Sequence, residues 1–368
     1  MKKLKYGILG AAPNAFIGNV HIRAIEATHK AELVAGFFSI VEEERAQAAA
    51  ANGVDPSRSY DSPEEMCEAE SKKTGDDRLD FVVITTPNNV HYKIAKMFLE
   101  AGFNVSCEKP VTFTEEEAID LKRIADEKGV KMCVTFTYSG YPALRHAREL
   151  IRNGEIGDIV MAAGEYVQGW LAGDTGMPPW RTDPKIAGRM NSLADIGSHA
   201  QFTIQFLTGM KLTEACCQLD NFGGFKTDTN ACVIEKFDNG ATGTIWSSQV
   251  AFGNDNEIRV RIYGTKGAIE WENICAEKFI LTKEGYPQMI VSKGNGYSAM
   301  DQLSSAGRLP AGHHEGLYYA FCNIYDNFLL DIMGEKCEVY PTIDDGIEIM
   351  HWLETCWTAA QNHTWAKA

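Results

Sequence analysis

The chain has 368 residues, which is too long for one ordinary hydrophobic core and predicts about two domains. Its net charge of −15 disfavours nucleic acids and anionic membranes as partners. No stretch reaches the roughly 18 apolar residues of a membrane span, and the ten cysteines have neither zinc-site nor disulfide-framework spacing. We therefore expect a cytoplasmic protein with reduced thiols.

The first 140 residues alternate between apolar runs and helical patterns. Five runs are predicted to be strands, the first of them buried: LKYGIL, AELVAGFFS, DFVVITT up to Pro87, FNVSCEK up to Pro110, and VKMCVTFTY. Amphipathic or charged segments with helical spacing lie between them. One of these, TEEEAIDLKRIADEKG at 114–129, has a Thr cap, an acidic first turn and a terminal glycine. This alternation predicts an α/β Rossmann domain with a doubly wound parallel sheet over residues 1–140.

The pattern changes after Gly154. Several long strand-like segments follow without a helix between many of them, and Asp238-Asn239-Gly240 is a strong hairpin signal. Two helical patterns end the chain. Residues 141–368 are therefore predicted to form an α+β domain with a large, open, mostly antiparallel sheet for substrate binding and oligomerisation. We expect its C-terminal helices to pack back on the first domain.

The stretch GILGAAPNAFIGNVH connects the first predicted strand to the first helix. Gly10 follows the strand and Gly18 precedes the helix, as in a turn that presents backbone N–H groups to a pyrophosphate. Ala12 takes the position of the middle glycine, and PNAF is an insertion. The stretch alone fits either a phosphate-binding loop or a plain turn, but its place in the first βα unit favours the former.

The second predicted strand ends at Phe38-Ser39 without the acidic residue that commonly binds the ribose of NAD. Ser39 can bond a ribose hydroxyl or a 2′-phosphate, and Arg45 can assist with a phosphate. Glu42, Glu43 and Glu44 crowd that arginine. The choice between NAD and NADP therefore stays open here, and the acidic run favours NAD.

Two later motifs carry a family resemblance. CEKP at Cys107–Pro110 ends the strand after TTPNNVH, and ADIGSHA at Ala194–Ala200 opens a helix. Together with the AFIG insertion, they resemble the Gfo/Idh/MocA family of sugar and cyclitol oxidoreductases. The resemblance extends over nearly the whole chain, through WRTDP, YGTKG, LPAGHHEG and YPTIDDG.

The resemblance implies that Lys109 and His199 are the catalytic pair and that Asp195 is their neighbour. A histidine suits removal of the hydroxyl proton, and a lysine ammonium stabilises the developing alkoxide. The Lys-Pro bond before Pro110 is expected to be cis. The implied cofactor contacts are Gly10, Ala12, Phe16, Ile17, Ser39, Arg45, Thr86, Pro87, Asn88, His91, Glu108 and Lys109. The implied substrate contacts are Tyr138, Gln168, Trp180, Arg181, Asp195, His199 and His314.

Simpler structural interpretations exist for some of these residues. Trp180 and the nearby Trp170 can simply pack, and the adjacent pair His313-His314 has no acidic partner at metal-ligand spacing, so we expect no metal. GRMNSL at 188–193 departs from the glycine-rich run that is common in the family before the D-x-G-x-H motif. This departure predicts that the mouth of the substrate site differs from that of family members with the glycine-rich run.

These features predict an NAD(P)-dependent oxidoreductase of carbohydrate metabolism, with NAD favoured. A tightly held cofactor that is recycled between two sugars is an alternative to a cofactor that is released in each turnover. The AFIG insertion and LPAGHHEG resemble members that oxidise glycosides at C3, including enzymes that prepare O- or C-glucosides for cleavage. The alternatives are an inositol or free-sugar dehydrogenase and a nucleotide-binding regulator. An intact lysine–histidine pair argues against the regulator. A dimer or tetramer of identical chains is expected.

Overall fold

The computed structural model describes residues 2–173, 180–293 and 307–368, which divide into two compact units. The first unit comprises residues 1–137 and 317–347, and the second comprises 138–316 and 348–368. The segment Leu317–Ile347 thus belongs to the first unit, although it follows most of the second unit in sequence.

The first unit contains a five-stranded sheet with the order β2-β1-β3-β4-β5, and every neighbouring pair is parallel. Its strands are β1 Leu4–Leu9, β2 Ala31–Phe37, β3 Phe81–Ile84, β4 Asn104–Cys107 and β5 Met132–Val134. The helices between and beside them are α1 Phe16–Glu26, α2 Glu42–Ala51, α3 Pro63–Ser71, α4 His91–Glu100 and α5 Glu115–Lys128. The doubly wound sheet predicted from the sequence is confirmed.

Local sequence signals set the helix ends as predicted. The hydroxyl of Thr114 accepts a hydrogen bond from the amide of Glu117 and caps α5, whose first turn is acidic. Gly129 ends the helix with a φ of +65°, a conformation that glycine adopts without strain. Capping thus fixes where α5 starts and stops.

The second unit is built on a nine-stranded sheet with the order β13-β12-β11-β10-β6-β9-β8-β7-β14. Its helices are α6 Pro142–Arg152, α7 Pro184–Ala187 and α8 Ser198–Thr208, the last preceded by a π-helical turn over Leu193–Gly197. Its strands are β6 Ile159–Val167, β7 Leu212–Asp220, β8 Asn230–Phe237, β9 Thr242–Ser248, β10 Glu257–Gly264, β11 Gly267–Glu272, β12 Lys278–Lys283, β13 Met289–Ser292 and β14 Ala366–Lys367.

Most neighbours in this sheet are antiparallel, and the predicted hairpin at Asp238-Asn239-Gly240 joins β8 to β9. The pairing of β6 with β9 is parallel. This is possible because a long connection that includes α8 separates the two strands in sequence. The mostly antiparallel sheet predicted for the second domain is confirmed.

Two further helices are α9 Gly316–Ile332 and α10 Ile343–Asn362. Phe321, Tyr325 and Phe328 of α9 are fully buried in the core of the first unit, where they join Tyr6 and Phe81 of its sheet. The first five residues of α10 belong to the first unit and the remainder to the second. Across the described parts of the chain, no helix combines the length and apolar character that a membrane crossing requires.

Candidate active site

One glycine, Gly10, lies directly after β1, and the second, Gly18, is the third residue of α1, so Gly18 does not precede the helix as the sequence predicted. Gly10 has a φ of +101°, and a Cβ added there would lie 2.7 Å from both the carbonyl carbon of Thr85 and the amide nitrogen of Thr86. A Cβ at Gly18 would lie 2.7 Å from the Cα of Ala11. The turn therefore runs directly against the end of β3, at the switch point between β1 and β3 where such sheets bind ligands. This close backbone approach fits a dinucleotide pyrophosphate.

The start of α1 has no side-chain cap. Its N-cap residue is Ala15, and its first turn contains no acidic residue, so the helix N-terminus favours an anion. Asn19, which the sequence did not identify, holds the inserted loop by donating to the carbonyl oxygen of Ala15 at 2.7 Å and approaching that of Pro13 at 3.4 Å. Asparagine inside a helix carries no distinctive sequence signal, and this role is evident only from the loop conformation.

The predicted cofactor contacts on this loop are accessible. Phe16 is 69% exposed at the first position of α1, and Ala12 and Ile17 are partly buried. When a bound molecule covers an apolar ring this exposed, the removal of its surface from water stabilises the complex. The loop therefore combines a backbone cradle with an uncovered aromatic side chain.

The side-chain contacts at the C-terminal end of β2 differ from those considered from the sequence. Arg45 is buried and binds Asp61 at 2.6 Å, and it also donates to the carbonyl oxygens of Ser39 and Ile40. It holds the loop in place and is already engaged, so the phosphate role considered for it is not supported by its contacts. Ser39 donates its hydroxyl hydrogen to Glu44. The acidic group near the strand tip is therefore Glu44, from the first turn of α2.

The segment after β3 contains Thr86, Pro87 and Asn88 and is tied to the segment after β4 by His91. This buried imidazole has Nε2 at 2.8 Å from the carbonyl oxygen of Thr86 and Nδ1 at 2.9 Å from that of Pro110. Burial lowers the pKa of His91, and a neutral ring donates to one of the two oxygens at a time. His91 thus links two loop backbones, and its ring nitrogens are turned to those carbonyls.

Glu108 lies in a buried polar network behind the end of β4. Its Oε1 accepts hydrogen bonds from His21 Nε2 at 2.9 Å and from the hydroxyl of Thr135, and the other ring nitrogen of His21 contacts the hydroxyl of Tyr325. Burial alone would raise the pKa of Glu108, but these bonds and the charge of Lys109 lower it overall. An ionised carboxylate is therefore held inside the first unit directly before Lys109.

Lys109 itself is partly buried at the end of β4, and the Lys109–Pro110 peptide bond is cis, as the resemblance implied.

In the second unit, Asp195 lies in the π-helical turn and His199 in the first turn of α8. His199 is buried among aromatic rings, with its centroid 5.2 Å from that of Tyr138 and 5.9 Å from that of Tyr166. Tyr138 donates its hydroxyl hydrogen to Tyr166 at 2.9 Å, and Tyr166 donates to Asn256 at 2.8 Å. Burial raises the pKa of Tyr166 to about 12, so both hydroxyls stay protonated near neutral pH.

The remaining predicted substrate residues form two short chains of contacts. Gln168 donates to Asn256 and accepts a hydrogen bond from the indole of Trp170 at 2.8 Å. Arg181 lies with its Nε 3.6 Å from Asp195 Oδ2 and its guanidinium carbon 4.5 Å from the ring centre of Trp180. Tyr138, Gln168 and Arg181 are thus each connected, directly or through one residue, to the surroundings of His199 or Asp195.

Comparison with known proteins identifies the family. Residues 4–136 match the model of an oxidoreductase family with an NAD-binding Rossmann fold, GFO_IDH_MocA, and residues 144–270 match the GFO/IDH/MocA C-terminal domain. The chain is 35% identical over 385 residues to the uncharacterized oxidoreductase YfiI of Bacillus subtilis, covering 100% of this chain and 97% of the relative. The chain belongs to the GFO/IDH/MocA family.

Two other relatives of this GFO/IDH/MocA protein are named for dehydrogenase activities on a cyclitol or a sugar derivative. An inositol dehydrogenase homolog from Azotobacter vinelandii has been solved with NAD+ (TM-score 0.93, 29% identity, 100% and 98% of the two chains covered). It has also been solved with NADH and myo-inositol (TM-score 0.92, 28% identity, same coverage). The levoglucosan dehydrogenase of Pseudarthrobacter phenanthrenivorans is 30% identical over 212 residues, covering 51% of this chain and 54% of the relative.

In this GFO/IDH/MocA chain, the GRMNSL segment is bound by Asp228, a residue that the sequence analysis did not identify. The buried carboxylate of Asp228 accepts hydrogen bonds from the amide of Asn191 at 2.7 Å and from that of Leu193 at 2.8 Å. Burial raises the pKa of Asp228 to about 6, although these donors act in the opposite direction. A carboxylate from a distant loop thus caps the helical segment that carries Asp195.

The buried side chain of Glu315 holds the loop that contains His313 and His314. Glu315 is buried and accepts the amides of Arg308 at 2.8 Å and Leu309 at 2.9 Å, and it pairs with Lys293. His314 is exposed on this loop. Within residues 2–173, 180–293 and 307–368, no three His, Cys, Asp or Glu side chains are grouped so that they could hold a metal ion.

Proposed function

We propose that this protein is an NAD-dependent dehydrogenase that oxidises a secondary hydroxyl of a sugar or glycoside, with C3 as the oxidised carbon. The observation that carries the proposal is the arrangement around α8, where a histidine among aromatic rings lies one helical turn from a carboxylate bound by amide and guanidinium groups. A proton acceptor beside several hydroxyl-binding groups suits a polyhydroxylated substrate.

The residues on the nucleotide side have separate roles in this proposal. Gly10, Gly18 and the uncapped start of α1 bind the pyrophosphate through backbone N–H groups. Phe16, Ile17, Ser39 and the segment Thr86–Asn88 line the remainder of the nucleotide, while His91 and Glu108 hold its surroundings. When bound, NAD supplies the acceptor for the hydride that leaves the alcohol carbon.

The residues on the substrate side carry out the proton chemistry. His199 removes the hydroxyl proton, and the Lys109 ammonium stabilises the negative charge that develops on that oxygen. Asp195 accepts a hydrogen bond from a neighbouring hydroxyl of the same ring. Tyr138, Gln168, Trp180, Arg181 and His314 contribute further contacts, since aromatic faces cover sugar C–H surfaces and planar polar groups bind hydroxyls.

The glycoside assignment is supported by the AFIG insertion, by LPAGHHEG and by the partial similarity to levoglucosan dehydrogenase. The exposed indoles of Trp170 and Trp180 suit a substrate larger than a free monosaccharide. Oxidation at C3 of an O- or C-glucoside acidifies the adjacent C–H bond and prepares the aglycone for elimination.

The second candidate is an inositol dehydrogenase. It is favoured by the similarity over the whole chain to the inositol dehydrogenase homolog that binds NADH and myo-inositol. A cyclitol presents the same vicinal hydroxyls as a pyranose but has no aglycone, so a direct substrate comparison separates the two.

The experiment incubates the protein with NAD and either an O-glucoside, a C-glucoside, glucose or myo-inositol, and follows NADH at 340 nm. The position of the carbonyl is assigned by carbon NMR. We expect glucosides to react faster and to give a 3-keto product. Preferential oxidation of myo-inositol would establish the second candidate, and a carbonyl at another ring carbon would refute the C3 assignment.

The catalytic assignment is tested with Lys109→Ala and His199→Ala, each of which should lower kcat by about 10²-fold or more while NADH still binds. His146→Ala, another buried histidine of the second unit, and Lys128→Ala, at the exposed end of α5, are matched controls. Full turnover by either test variant would remove that residue from the mechanism.

We also propose that the chain forms a homo-oligomer through one face of the nine-stranded sheet. Ile234, Trp246 and Tyr263 project from adjacent parts of that face, and each is at least 37% exposed. Covering these apolar groups stabilises an assembly. Sedimentation equilibrium distinguishes a dimer or tetramer from a monomer. The free thiols of the ten cysteines support a cytoplasmic location.

A further inference from the structure

A buried glutamine joins the carboxylate of Asp195 to the segment that precedes it. Gln249 follows β9 and is 0% exposed. Its Nε2 donates to Asp195 Oδ2 at 3.0 Å, and its Oε1 accepts a hydrogen bond from Asn191 Nδ2 at 2.6 Å. Asn191 is 2% exposed. Two buried primary amides and the carboxylate of Asp195, whose side chain is 25% exposed, therefore form a continuous chain of hydrogen bonds.

The hydrogen bonds between Asn191, Gln249 and Asp195 can run in only one favourable direction. A carboxylate only accepts hydrogen bonds, so Gln249 must turn its NH2 group toward Asp195. The glutamine oxygen then faces the other way, where the NH2 group of Asn191 meets it. Reversing either amide would set oxygen against oxygen in a buried place, which is costly because neither atom can turn to water. The Asp195 carboxylate and the NH2 group of Asn191 therefore fix the orientation of the Gln249 amide together, and the Gln249 NH2 group in turn holds the Asp195 carboxylate.

Hydrogen bonds also hold the backbone groups of Gln249 and Asn191. The amide of Gln249 donates to the carbonyl oxygen of Thr229, and its own carbonyl accepts the amide of Leu171, each at 2.9 Å. The amide of Asn191 donates to Asp228 Oδ1. The glutamine side chain therefore extends from a backbone position fixed by hydrogen bonds at both its N–H and C=O groups.

We propose that Gln249 is a positioning residue of the dehydrogenase, which holds the Asp195 carboxylate in the orientation that receives a substrate hydroxyl and is itself oriented by Asn191. The inference rests on the proposed function for the meaning of Asp195. Arg181 approaches the same oxygen of Asp195 from the loop before α7, at 3.6 Å. The glutamine supplies a directed donor of fixed geometry to that oxygen, and the partly exposed arginine supplies charge.

The test compares Gln249→Met, which keeps length and loses the amide, with Gln249→Glu, which keeps the shape. Gln218→Met is the matched control, because the exposed Gln218 donates to Asp220 at 2.9 Å in the same sheet. The titration of Asp195 is followed by carboxyl-¹³C NMR of aspartate-labelled protein, and the Asp195 signal is assigned by its loss in Asp195→Asn. Within the described parts of the chain, the charged or titratable groups near Asp195 include Arg181, Tyr166 and, one turn along its own helix, His199.

We expect Gln249→Met to raise the pKa of Asp195 by about one unit or more, because a hydrogen bond to the ionised form is lost. The KM for the sugar should rise about tenfold, with a smaller change in kcat. Gln249→Glu should retain activity at low pH, where its protonated carboxyl donates to Asp195, and lose it as that proton dissociates. Gln218→Met should change none of these.

An unchanged Asp195 titration in Gln249→Met, or an equal shift in Gln218→Met, would overturn the inference. If Gln249→Met does not fold, the pH profile of Gln249→Glu decides: a profile that parallels the unmodified protein also overturns it. The NMR measurement needs no substrate. A shifted titration together with an inactive unmodified protein, or an unaffected Asp195→Asn, would therefore refute the proposed function and leave the positioning contact established.

Discussion

Glu235 is a completely buried carboxyl group on β8, and it accepts a hydrogen bond from the indole of Trp352 at 2.9 Å. Burial raises its pKa to about 8, because the ionised form is poorly solvated, and the indole offsets this only in part. In the unfolded chain the pKa of a glutamate is about 4.3. The native state therefore keeps a proton that the unfolded state releases between these two values.

This difference sets the sign and size of the effect. Between about pH 4.3 and 8 the native state binds more protons than the unfolded state. The free energy of unfolding therefore falls as the pH rises, by about 1.4 kcal/mol per pH unit, or about 5 kcal/mol in all. Glu235→Gln stays neutral and can accept the Trp352 hydrogen bond through its amide oxygen. Its stability relative to the unmodified protein should therefore rise by about 3 kcal/mol between pH 5.5 and 7.5 and level off above pH 8.

The assay is urea unfolding at several pH values, followed by tryptophan fluorescence. All seven tryptophans lie in the second unit, which also contains Glu235, so the signal reports on the relevant transition. Glu214→Gln on β7 is the control, because a hydrogen bond from Lys236 lowers the pKa of that exposed carboxylate. Parallel pH curves for Glu235→Gln and the unmodified protein would show that Glu235 ionises normally and would refute the reasoning.

Two predictions concern the nucleotide unit. Gly10→Ala should weaken NADH binding about tenfold or more, because the new Cβ meets backbone atoms at 2.7 Å; Gly53→Ala also has a positive φ but lies in open space and should leave binding intact in a fluorescence titration. Glu44→Ala should lower the preference for NADH over NADPH about tenfold, since removing the carboxylate beside Ser39 relieves repulsion of a 2′-phosphate. The neighbouring Glu43→Ala is its control, and an unchanged ratio of the two dissociation constants in Glu44→Ala would place the ribose away from this acid.

The sequence determined the elements whose signals are local. Alternating apolar and helical patterns predicted the parallel sheet, Asp238-Asn239-Gly240 predicted the β8–β9 hairpin, and Thr114 with Gly129 predicted the ends of α5. Lys109 and His199 were predicted to be the catalytic pair because each lies in a short motif with a recognisable family pattern, and their roles stay a prediction. Local backbone preferences and contiguous motifs can be read along one chain without knowing its partners.

Only the tertiary structure decided which distant residues meet. Arg45 was considered for a phosphate, but Asp61 and two carbonyl oxygens occupy it. Gln249 contacts Asp195 across 54 positions, and Tyr325 reaches His21 across 304. A buried polar group must find a partner wherever the fold places one, and a pairing between residues so far apart has no periodicity and no fixed spacing in the sequence.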